Sequence, residues 1–118
     1  MDTDINFIKW MVEYANDFEN DGDFIRYKKT KDYFLEEHIF MTNNVYWSEL
    51  YYPLLIQRAI EGINREKGIY LITQNFANVW IEHNICDDFE EYFSFSDYES
   101  IDKAKEQALK YIFEQETE

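Results

Sequence analysis

Apolar residues recur at steps of three and four from the start of the chain: Ile5, Ile8, Val12 and Ala15 form a stripe that Phe7, Trp10, Met11 and Tyr14 widen. That period predicts an amphipathic helix over 5–16, with Asp4 or Thr3 as its N-cap. The run Asp17-Phe18-Glu19-Asn20-Asp21-Gly22-Asp23 interrupts the stripe and predicts a turn, and the weak alternation of Phe24–Lys28 predicts a strand. Residues 31–46 fit two patterns. Tyr33, Phe34, Leu35, Ile39 and Phe40 suit either a short helix or an extended pair, with Thr42-Asn43-Asn44 as a turn.

From Ser48 to Lys67 the helical period returns, with Leu55, Ala59 and Ile63 at steps of four and Ile56 and Ile60 beside them. Pro53 suits a first helical turn, which places the start of the regular helix at Tyr52. Gly62 inside this helix costs about 1 kcal/mol relative to alanine, which points to a close backbone approach, and Gly68 is the expected C-terminal cap. Ile69–Asn75 and Val79–Asn84 predict a hairpin that turns near Phe76-Ala77-Asn78. Phe89–Phe95 alternates as a third strand. Ser100 is a good N-cap for a last helix whose apolar face is Ile101, Ala104, Ala108, Leu109, Ile112 and Phe113. The expected fold class is α+β: N-terminal, central and C-terminal helices packed on a small antiparallel sheet, in a single domain over 1–118.

Composition adds burial to this pattern. The 118 residues include 10 Tyr, 10 Phe and 3 Trp, enough apolar surface to fold a chain with a net charge of −14. Ten tyrosines exceed what a small core needs, so some rings are expected at a contact face; packing on strands beside charged neighbours is the plainer account of them. Trp10, Trp47 and Trp80 are expected to be structural. The charge disfavours direct nucleic-acid binding and anionic membranes, both of which run on Lys and Arg. No apolar run approaches the ~20 residues of a membrane span. One cysteine, Cys86, allows no intrachain disulfide, and the first residues are acidic where a secretory signal is basic; a cytoplasmic location is expected.

Candidate chemistry is thin. Asp17-x-Glu19-x-Asp21-Gly22 starts like a calcium loop, but Lys28 stands at the twelfth position, where a bidentate glutamate belongs. His83 and Cys86 have the spacing of half a zinc site, but His38 is the sole further histidine and there is no second cysteine. As a nucleophile–base pair near a strand end they would point to opposite faces. The glycines at 22, 62 and 68 stand alone, so no phosphate-cradling loop is present, and neither hydrolase elbow nor metalloprotease helix occurs. The expectation is a protein that is not an enzyme, with no cofactor and no metal.

Charge is distributed unevenly. From Gly68 to Asp102 there is no Lys or Arg, while Glu82, Asp87, Asp88, Glu90, Glu91, Asp97, Glu99 and Asp102 supply eight acids; Arg26, Lys28, Lys29 and Lys31 form the basic cluster. Such a face serves solubility. It also suits a partner's basic groove, and Glu82, Asp87, Asp88, Glu90, Glu91, Asp97 and Glu99 are the candidate partner-binding residues. The alternative is a small-ligand (nucleotide-like) sequestering domain, its pocket lined by Tyr46, Trp47, Tyr51 and Tyr52, with Arg58 or Arg65 as anion anchor. A homo-oligomer is a further expectation, since excess aromatic surface can be self-complementary.

Three strings carry a resemblance: Phe7-Ile8-Lys9-Trp10-Met11-Val12-Glu13, the segment from Tyr52 to Asn64, and the segment from Asp102 to Ile112. Together they resemble small proteins encoded by phages and prophages of Gram-positive and related bacteria. The resemblance covers the three helices, not the stretch between Asp17 and Trp47 or the strands, and it brings no catalytic residues. It implies a phage accessory product in the cytoplasm of a bacterial host; with the acidic 68–102 region and the aromatic surplus it leads to the expectation of a host partner, such as a defence or nucleic-acid-handling protein.

Overall fold

The structure, a computed structural model, describes residues 2–39, 46–74, 78–83, 89–94 and 101–117. Helices α1 (Asp2–Tyr14), α3 (Tyr52–Lys67) and α4 (Ile101–Thr117) combine with antiparallel strands in an α+β arrangement, as the periodicity predicts. The chain divides into two compact units, Met1–Gly62 and Ile63–Glu118, with the division inside α3. Among the described residues no helix is long and apolar enough to cross a membrane, and none of the buried residues is polar or charged.

In the first unit, α1 begins at Asp2, so Thr3 and Asp4 lie inside the helix and do not cap it. The first turn carries no apolar stripe, which is why the periodicity starts a turn late. Its inner face buries Phe7, Ile8, Met11 and Val12, and the helix ends at Tyr14, with the Ala15 amide bonded to the carbonyls of Met11 and Val12. The run expected as a turn is instead strand β1 (Phe18–Asp21), paired antiparallel with β2 (Phe24–Tyr27). The turn is only Gly22-Asp23. Gly22 has φ +63° and Asp23 is not left-handed, the signs required by a two-residue II′ hairpin with glycine first. One buried apolar residue, Phe18, carries the core side of a strand that is otherwise polar, so alternation is nearly invisible there.

Strand β3 (Tyr33–Leu35) continues the order β1-β2-β3, and a single helical turn, α2 (Glu36–Ile39), follows it. The ambiguous stretch thus holds both of the patterns it suggests; the expected turn at 42–44 lies outside the described residues. Between β2 and β3 the Lys31 amide bonds the Tyr27 carbonyl and the Tyr27 amide bonds the Asp32 carbonyl, both at 2.8 Å, with Lys31 held at φ +66°. A π-helical segment, Tyr46–Tyr51, leads into α3. Pro53 has no N–H to offer the preceding turn, which loosens the winding there, and regular helix starts at Tyr52 as predicted. A Cβ on Gly62 would overlap the backbone carbonyl of Tyr14, which accounts for a glycine inside a helix.

In the second unit, Gly68 closes α3 at φ +67°, its amide bonded to the Asn64 carbonyl at 3.1 Å. Strands β4 (Ile69–Gln74), β5 (Asn78–His83) and β6 (Phe89–Ser94) form an antiparallel meander within a residue of the predicted ends. Helix α4 packs on β5 and β6 and buries Ala104, Ala108, Leu109, Ile112 and Phe113. The residues expected at the β4–β5 turn, 76 and 77, and the predicted cap Ser100 lie outside the described residues.

Candidate functional site

A run of rings crosses the first unit. Phe18 meets Tyr27 with centroids 5.0 Å apart, Tyr27 meets Tyr51 at 5.2 Å, Tyr51 meets Phe34 at 5.0 Å and Phe34 meets Trp47 at 5.2 Å. These separations and tilts are those of favourable aromatic pairs, about 0.5–1.5 kcal/mol each beyond area burial. The run fastens the π-helical segment to the sheet.

Beside two of its inner members, Tyr51 and Phe34, lies a cavity of about 340 Å³, lined by these two with Lys31, Asp32, Tyr33 and Tyr46. Four lining residues are consecutive because the β2–β3 loop and β3 form one wall. The π-helical segment forms the other, and its winding matters: in an α-helix residues five apart point about 140° away from each other, whereas an i→i+5 repeat brings them over one another. Tyr46 and Tyr51 are five apart and share the cavity. Tyr33 and Tyr46 are 58% and 69% exposed, rings left in water although the unit has a core to bury them in.

The polar side of the cavity is built on Tyr51. Its hydroxyl donates to Asp32 Oδ2 and lies 3.2 Å from Thr30 Oγ1, while the Asp32 amide is bonded by that same Thr30 oxygen at 3.3 Å. The bond to Asp32 pushes the Tyr51 phenol above its ordinary value of 10.0, and Thr30 partly offsets this. Asp32 Oδ1 has no partner among the described residues.

Of the residues expected to hold a ligand, Tyr46 and Tyr51 line the cavity. Trp47 is buried beneath it, against Phe34 on one side and Tyr52, 5.8 Å away, on the other. Arg58 is not in the lining. Its Nε donates to Asp17 Oδ2 at 2.8 Å and its Nη1 to Glu61 at 3.1 Å, with Lys29 Nζ 3.5 Å from the same Asp17 oxygen. The bond from Arg58 holds the Asp17 carboxyl below its ordinary 3.8; partial burial opposes this and the charge of Lys29 assists it. Arg65 is exposed in the last turn of α3. Lys31, Asp32, Tyr33 and Phe34 were not anticipated, and the cluster of two aromatics directly after a Lys-Asp pair was the one signal for them. With Asp17 bound to Arg58, and Asp21 to Arg26 at 3.0 Å, the calcium-like string is part of a strand and its ion pairs. Among the described residues no three side chains are grouped to hold a metal.

The candidate partner-binding acids fall on the second unit. Glu82 stands opposite Tyr70 in β4 and Phe89 in β6, and Glu91 opposite Ile81. The register slips between Ile81 and Glu82, leaving Glu90 as the extra residue of a bulge on β6. Asp87, Asp88, Asp97 and Glu99 lie outside the described residues, as does Cys86. Comparison with protein-family models, with curated proteins and with solved structures finds no match for the chain.

Proposed function

We propose that this is a phage or prophage accessory protein that works by binding rather than catalysis in the cytoplasm of a bacterial host. Its acidic surface around β5 and β6 occupies the basic groove of a host defence or nucleic-acid-handling protein. The supporting observation is the contrast in charge between the two sheets. In the first unit Lys9, Arg26, Lys29 and Arg58 each sit on a carboxylate, whereas the sequence from Gly68 to Asp102 places eight acids on and around a three-stranded meander with no cation among them. An acidic field of this kind speeds encounter with a basic partner and weakens with salt.

The test is capture from host lysate by the tagged protein at low and high salt, beside the fourfold variant Asp87→Lys, Asp88→Lys, Glu90→Lys, Glu91→Lys. The reading requires a stoichiometric host protein that is released by high salt and lost in the variant, while the thermal midpoint is kept. Capture that survives both would overturn it. The second reading, a small-ligand sequestering domain, draws support from the cavity that Tyr46 and Tyr51 share.

A further inference from the structure

The geometry points to an organic cation, a guanidinium or alkylammonium group of arginine side-chain size, as the occupant of the cavity between β3 and the π-helical segment. The inference rests on the second reading, that the cavity takes a small ligand, and adds what kind. A volume of about 340 Å³ is at the lower end for ligand sites. The walls are aromatic. Tyr33, Tyr46 and Tyr51 line the cavity, rings whose negative quadrupole attracts cations; Tyr33 also meets Phe24 edge-on at 5.1 Å, and Tyr33 and Tyr46 remain mostly exposed.

A carboxylate completes the arrangement. Asp32 is oriented by the Tyr51 hydroxyl on Oδ2 and keeps Oδ1 for a further donor, which a guanidinium supplies with its fork of N–H groups. A nucleotide phosphate would meet that same carboxylate, and the arginine that could have countered it, Arg58, is engaged by Asp17 and Glu61. Lys31 at the rim is the opposing charge. It belongs to the basic cluster with Lys28 and Lys29 and selects against cations locally, so the attraction for a cation comes from Asp32 and the rings. The two neighbours therefore have opposite expected effects on binding, which makes the inference testable at adjacent positions.

The probe is N-acetyl-arginine amide, followed by amide NMR shifts of the full chain, with its neutral citrulline isostere and AMP as comparisons. The expected result is saturable shifts at residues 31–34 and 46–51 by the arginine probe, with the citrulline isostere about tenfold weaker. Asp32→Asn keeps an acceptor for Tyr51 and should weaken the arginine probe about three- to tenfold; Lys31→Ala should tighten it about twofold. Binding of AMP in preference to the arginine probe, or loss of affinity in Lys31→Ala, would overturn the cation while leaving the sequestering reading in place. Equal affinity for the citrulline isostere would do the same. No shifts with any of the three would overturn both.

Discussion

The two three-stranded sheets differ in strand length and in composition. Strands β4, β5 and β6 are six residues each, and β4 and β5 take most of their residues from Ile, Tyr, Leu, Thr, Val and Trp, types that fit a pleated, half-buried surface. Strands β1, β2 and β3 have four, four and three residues, and Glu19, Asn20 and Asp21 make up most of the first. What holds that sheet is cross-linking: the Gly22 turn, the Asp21–Arg26 ion pair, the ring run from Phe18 to Trp47, and the Asn20 side chain bonded to the Lys9 carbonyl of α1. The charge pattern differs as well: in the first unit Arg26, Lys29 and Arg58 pair with carboxylates, while the sequence from Gly68 to Asp102 contains no Lys or Arg.

That difference can be broken most forcefully at Gly62. Gly62→Ala would drive a methyl group into the Tyr14 carbonyl, and a loss of about 3 kcal/mol or more in urea unfolding is expected. Faster amide exchange should appear in α1 and β1, while an Ala at Gly22, with open space around it, should cost only its left-handed strain of about 1–2 kcal/mol.

Next in size is the fastener Asp17. Asp17→Asn is expected to lose about 1–2 kcal/mol at pH 7, the charge-assisted bond being discounted for partial exposure. Its folded pKa lies below 3.8, so its contribution is complete above the unfolded value and disappears as pH falls through the folded one. Urea titrations at pH 7 and at pH 3 should therefore show the gap between wild type and variant narrowing in acid. The smallest effect has the opposite sign. Lys31→Gly releases a side chain from φ +66° and should gain about 0.5–1 kcal/mol, after the extra chain entropy of glycine, read as a raised thermal midpoint.

The same division explains what could be read from the sequence. The three helices announce themselves because burial imposes a period, the β4–β6 meander through its runs of β-favouring and alternating residues, and the Gly62 contact shows as a residue out of place in a helix. Strand β1 does not, because Phe18 is its one buried apolar position and pairing with β2 is fixed by a turn and an ion pair that leave no period. Within the candidate cavity, Tyr46 and Tyr51 were within reach of aromatic composition. Asp32 and Lys31 were not, since they arrive there through the path of a loop, and Arg58 was misplaced because a sequence of 25 acids does not say which of them claims a given arginine.

The π-helical segment has a consequence for how such a cavity can arise. A π-turn is an α-helical turn with one extra residue, so deleting a single codon between Tyr46 and Tyr51 would restore ordinary winding and swing Tyr46 about 100° around the axis. The heptad-like stripe of α3 downstream would keep its place. Trp47, buried against Phe34, would turn with Tyr46, so one in-frame step would exchange the aromatic wall together with a core contact.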